Sequence, residues 1–442
     1  MRPLLAVGIA AAAVAAGVAL GVPTPSPRPL PLHAPAAATP PLLALASGER
    51  GSLLERLDPA TFTVRVRSAR VGWWNAWTAS PDRRLLAVAV SPPGSKGDSS
   101  MLRFANEVTL RWVRRGVALD GWTIALAWPR PGTVQALVGG GSLLLDTVDA
   151  VAKKVVARTT IPGLEAAVAR SADGLVLLGV ADNEIGPATL RVIDAGGNVR
   201  SVRLDRIRAG THFDRASQDP IGVTRGPGLA VDAERGVAYV VDPDGLVAEV
   251  RLADLHVSYH ELARSPLARL SSWLEPSAAA KGLDGPVLTA QWLGDGLLAV
   301  TGARNAIARL QDGSTSFSTS PLGLRVIDTR DWSERMLDTR ADSAVVADGL
   351  LLATGGTWSS DSSSPVTGEG LAAYGPDASL RWRLEPGTKL SVVAATGSRA
   401  LVQAYSNDQA PQPLRLVDLA SGRVLRSLPA DAEVRPLVGP GS

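Results

Sequence analysis

The feature that most constrains this chain is a phrase that returns with variations: an apolar strand ending in Asp, a tight turn, then another strand. It reads Leu190-Arg191-Val192-Ile193-Asp194-Ala195-Gly196-Gly197-Asn198-Val199, then Arg325-Val326-Ile327-Asp328-Thr329-Arg330-Asp331-Trp332, then Arg415-Leu416-Val417-Asp418-Leu419-Ala420-Ser421-Gly422-Arg423-Val424. A companion phrase precedes it, as in Ser80-Pro81-Asp82 before Leu85-Leu86-Ala87-Val88 and in Gly294-Asp295-Gly296 before Leu297-Leu298-Ala299-Val300. Pro presets one turn torsion, Asp bonds its own backbone two residues on, and Gly accepts positive φ, so both phrases mark turns between strands. Self-similarity at roughly 45 to 55 residues, built from short strands alone, predicts the blades of a β-propeller. Such a repeat constrains architecture and leaves activity open, because propellers serve as enzymes, receptors and scaffolds.

Each repeat divides into four strands, and the third recurs near Leu53, Val108, Leu143, Leu190, Val247, Leu324, Leu371 and Leu414. That spacing favours eight four-stranded antiparallel blades, with seven as the alternative because the repeat from Trp122 to Arg158 is compact. Leu42 to Ala46 reads as a second strand with no inner strand before it, and Val434 to Val438 as an inner strand with nothing after it. Paired, they close the ring and remove the edges of its seam.

At 442 residues, with 45% apolar and 20% charged residues, the chain has ample material for a large core. A net charge of +3, with no basic run interleaved with aromatics, argues against a nucleic-acid partner. Residues 1–22 read as a signal peptide or an N-terminal membrane anchor: Arg2 precedes an unbroken small and apolar run from Leu4 to Val22, and Ala19-Leu20-Gly21 offers a cleavage site. Either reading places the remainder outside the cytoplasm, secreted or attached to the outer face of the membrane through residues 4–22. Residues 23–41 are Pro/Ala-rich and read as an extended linker, and 42–442 as one propeller domain. With no Cys there is no lipid-attachment Cys and no disulfide framework, so strand packing must carry the stability.

Loop length is the main functional signal. Turns from first to second and from third to fourth strand are short and share one face of the disc. On the other face the connections expand at 91–107, 205–226, 263–285, 302–322 and 355–369. Long connections are where binding residues concentrate, so this long-loop face is the expected binding face. Its candidates are Trp73, Trp74 and Trp77 at an inner strand, His212, Asp214 and Arg225 in one expansion, Trp273 in another, and Arg304 and Trp358 in two more. Indoles there offer stacking or cation-π surfaces; as an alternative they fill space between blades. Leu267, Leu270 and Leu274 at helical spacing predict a short amphipathic helix at 266–274. No nucleophile elbow, phosphate loop or His-rich metal signature is present, so no catalytic residue, metal site or cofactor is expected, and a monomer is.

The repeats resemble YVTN-type and quinoprotein-like (PQQ-like) propeller repeats of exported bacterial proteins. Ser80-Pro81-Asp82, Val192-Ile193-Asp194, Val326-Ile327-Asp328 and Val417-Asp418 carry the first likeness, and Tyr374-Gly375-Pro376-Asp377-Ala378-Ser379-Leu380-Arg381-Trp382 the second. The resemblance implies a fold rather than a reaction. The expected function is an exported, non-catalytic propeller that binds a ligand or protein partner at the cell envelope. The alternative is an exported propeller enzyme of quinoprotein dehydrogenase, lactonase or lyase type.

Overall fold

A computed structural model of the chain describes residues 28–32, 42–48, 51–92, 99–140, 142–181, 184–214, 221–262, 283–309, 315–359, 367–405, 413–428 and 434–437. Within them the chain is all-β: strands joined by tight turns make five separate four-stranded antiparallel sheets and one sheet of fourteen strands. The separate sheets follow the phrase read from the sequence. Trp122–Arg130, Thr133–Gly139, Leu143–Asp149 and Lys154–Ile161 pair in order, so the compact repeat is a full four-stranded unit. Trp73–Ala79, Leu85–Ser91, Ser100–Asn106 and Val117–Leu119 do the same. Here the third strand is Ser100–Asn106, and Val108 stands in the following turn, 57% exposed. The sequence pattern misplaces it because Asn106, not an Asp, closes that strand: its Oδ1 accepts the Val108 and Thr109 N–H groups at 3.1 and 2.8 Å.

The large sheet contains three further antiparallel runs of four. They begin at Leu164–Ser171, at Leu283–Gly294 and at Ser343–Ala347, and each passes through its next strands before reaching the rim. This is a β-propeller of four-stranded antiparallel blades.

Middle strands of the blades are almost wholly apolar because both of their faces lie against neighbouring blades. Val237–Val241 is buried throughout, and Ala87, Phe104, Leu126 and Val134 lock two adjacent sheets into one cluster. Burying a Val, Leu or Phe side chain contributes about 1.5 to 3 kcal/mol, so these seams dominate the stability. The chain ends meet within one sheet: Val434–Leu437 pairs antiparallel with Leu42–Gly48, with Ala46 opposite Val434 and Leu43 opposite Leu437.

Short turns on one face are closed by their own carboxylates. Asp194 Oδ1 accepts the Gly196 and Asn198 N–H groups at 2.8 and 3.0 Å, and Gly197 takes φ +85° to complete the turn. Asp149 and Asp58 each accept two backbone N–H groups in the same way, and Asp328 and Asp377 one each. Asn198 is the first cause, ahead of the backbone donors, that holds the Asp194 carboxyl below its ordinary value.

Part of the Pro-rich stretch expected to be a linker is docked. Leu30 and Leu32 are each 1% exposed, sunk among residues of two successive four-strand runs. The expected helix at 266–274 lies outside the described residues.

Candidate functional site

The long-loop face carries more regular structure than its composition suggested. The strand Val199–Asp214 runs past its blade, and Gly210 to Asp214 pair with Ile221–Arg225. That strand lies parallel to the start of Leu283–Gly294, with Val223 beside Asp284. Leu297–Arg309 extends upward to pair with both Leu283–Gly294 and Thr315–Pro321. Thr315–Pro321 then joins the upper end of Leu350–Ser359, with Ser318 opposite Ser359 and Thr319 opposite Trp358. Three of the long connections are therefore hairpins joined edge to edge, a half-crown of strands. Joining satisfies backbone N–H and C=O groups that isolated hairpins would leave at open edges.

Laterally paired residues project to the same side of a sheet, and alternate residues to opposite sides. One side of the crown consequently carries His212, Val223, Asp284, Ala306, Ser318 and Ser359 in a row, with Arg225, Arg304 and Ser320 two residues away on their strands. His212, Val223, Arg304, Ser318 and Ser320 are exposed. Its cations are matched: Arg304 Nε lies 3.3 Å from Asp284 Oδ1, and Arg225 Nη2 lies 3.1 Å from Asp242 Oδ1 and also bonds Asp244. Burial pushes the Asp242 carboxyl up, so Arg225 holds a charge that the site would otherwise neutralise. The other side is more apolar, with Ile307 opposite Phe317 and Thr319 opposite Trp358; Phe317 is 47% exposed.

A second group lies on the inner strands. Trp73, Trp122 and Leu164 open the inner strands of three successive blades at the long-loop end, each more than two-fifths exposed. Toward the short-turn end, Arg170 Nη2 donates to the Trp77 carbonyl at 3.0 Å, tying the first of these inner strands to the third. Desolvation lowers the Arg170 pKa from its ordinary high value.

The residues expected to form a site are thus sorted. His212, Arg225, Arg304 and Trp358 lie on one continuous sheet, as does the backbone of Asp214. Trp73 is at the rim. Trp74 and Trp77 are half-buried and pack against the Leu86, Val88 and Val90 seam. Trp273 lies outside the described residues. Trp122 and Leu164 were not singled out from sequence; their signal is position, as the first residue of an inner strand after a short connection. Among the described residues no group of three or more His, Asp or Glu is arranged to hold a metal ion, and no helix is long and apolar enough to cross a membrane.

No family model matches the chain, and no curated protein matches it. Solved structures do. The chain is similar to a dihydro-heme d1 dehydrogenase, NirN, solved in complex with DHE: 15% identity, 93% of this chain and 78% of that one, TM-score 0.54. It is also similar to apo AztD from Citrobacter koseri, at 12% identity over 92% of this chain and 100% of that one, TM-score 0.51. At these identities the likeness is one of fold, and both comparisons support the β-propeller.

Proposed function

We propose that this protein is an exported, non-catalytic, eight-bladed β-propeller that binds a ligand or protein partner at the cell envelope through its long-loop face. What supports the count is the sum of five separate four-stranded sheets and three four-strand runs within the large sheet. The observation that carries the binding reading is the asymmetry of the disc: one face is closed by self-satisfied Asp turns, while the other carries a joined crown together with an exposed Trp73, Trp122 and Leu164 rim. An aromatic rim beside polar strands suits a surface that stacks on or packs against its ligand. Export is supported by the apolar run Leu4 to Val22.

The test compares two sets of variants of matched melting temperature in capture from an envelope extract. Trp73→Asp with Trp122→Asp should lose the captured species, and Asp194→Ala should keep it. Retention by the rim variant with loss by the turn variant would refute the reading. A purified rim-intact protein that catalyses a quinone-coupled oxidation, a lactone hydrolysis or a lyase reaction would instead establish the enzyme reading.

A further inference from the structure

Arg28 to Leu32 adds no rung to any sheet, yet it is fixed to the ring at several points. Arg28 Nη1 stands 3.6 Å from Asp328 Oδ2. The Leu30 N–H donates to the Pro376 carbonyl. Leu30 and Leu32 fill sockets walled by Leu293, Leu297, Leu324, Leu351 and Tyr374. A Cβ built on Gly294 would lie 3.8 Å from Pro31 Cβ, and one on Gly349 would lie 3.7 Å from the Leu32 carbonyl oxygen. Gly294, Asp328, Gly349 and Pro376 all belong to first-to-second or third-to-fourth turns, so every anchor is on the short-turn face, opposite the crown.

We infer that Arg28–Leu32 is an orienting strap: it seals the seam between two blades and fixes the chain's exit at the short-turn pole. The chain at Arg28 is thereby held at the pole that the crown does not occupy. Side-chain sockets and one backbone hydrogen bond hold the strap, as they would a bound peptide, and Pro29 and Pro31 limit the freedom it gives up on docking. Only the naming of the crown as the binding pole rests on the function proposed above.

The natural chain has no Cys, so a Pro31→Cys, Gly294→Cys pair reports docking without background. The 3.8 Å separation of the two Cβ positions is within disulfide range. Mild oxidation of the folded full chain should cross-link most of it, giving a reducible shift in gel mobility. Adding Leu30→Asp and Leu32→Asp should cut the yield at least about tenfold. Gly294 has φ +99°, where Cys is strained, so the wild-type chain supplies a second readout. Its Leu30 amide should exchange hydrogen at least about tenfold more slowly than an unstructured amide. Absence of the cross-link together with free exchange at Leu30 would overturn the strap. Cross-linking that is blocked when the crown is occupied would overturn the separation of the two poles. Failure of the crown to bind anything, with the cross-link intact, would sink the proposed function and leave the strap standing.

Discussion

Asp338 shows how one buried carboxylate is held charged. Desolvation opposes ionisation and is the largest single influence, but the Arg340 N–H, the Tyr374 hydroxyl and the Arg383 guanidinium together outweigh it and leave the carboxyl below its ordinary value. The Tyr374 O–H donates at 2.8 Å and Arg383 Nη2 at 2.7 Å. A carboxyl lowered in the fold contributes stability that is complete above the ordinary aspartate range and is lost as pH falls through the folded value. Asp338→Asn should cost about 3 kcal/mol near neutrality, since it strips the charge from a buried pair. Melts of both proteins from pH ~7 down to pH ~3 should show the gap narrowing in acid; a gap independent of pH would contradict this. Arg225 obeys the same logic. Arg225→Ala leaves buried Asp242 uncompensated, so it should lower the melting temperature, and a loss of binding in that variant would not by itself map the site. Asp194→Ala removes a turn acceptor and should cost about 0.5 to 2 kcal/mol by denaturant titration, by analogy with helix caps.

At the scale of elements, the crown and the strap were the parts hardest to read from sequence, for different reasons. Thr315-Ser316-Phe317-Ser318-Thr319-Ser320-Pro321 is a strand whose polar residues hide the apolar alternation that marks a half-buried one. One partner, Leu297–Arg309, is the other arm of its own hairpin, but the second, Leu350–Ser359, belongs to the next four-strand run, and no local pattern encodes that join. Leu30-Pro31-Leu32 has no periodicity at all; its burial is dictated by sockets built from turns hundreds of residues later. The blades were legible because each unit satisfies itself locally: Asp194 closes its own turn, and Val192 and Ile193 belong to a strand paired with its sequence neighbours. Thr319→Pro would remove a backbone donor where the crown joins Leu350–Ser359. Hydrogen exchange should speed up at 356–359 while the global melt moves little. Unchanged exchange there would mean that the hairpins stand independently.

For the whole molecule, closure and polarity are the two properties that matter. Pairing Val434–Leu437 with Leu42–Gly48 brings the first and last described strands into one blade and covers the edge of Leu42–Gly48. A chain ending at Asp431 should lose solubility and a large part of its melting temperature in one cooperative step; a full-length-like melt would contradict the closure. Polarity follows from the alternation of short and long connections around the ring. It separates a structural pole, where carboxylates close turns and the strap is seated, from a pole where strands and indoles remain available. The central claim is that binding occurs at the second pole. Its most direct test is a hydrogen-exchange footprint of the full chain with and without the species it captures from an envelope extract. The account predicts protection confined to 210–214, 221–225, 302–309, 315–321, 356–359, 367–368 and the strand openings at Trp73, Trp122 and Leu164. Protection at the Asp58, Asp194 and Asp328 turns, with the crown unchanged, would contradict it.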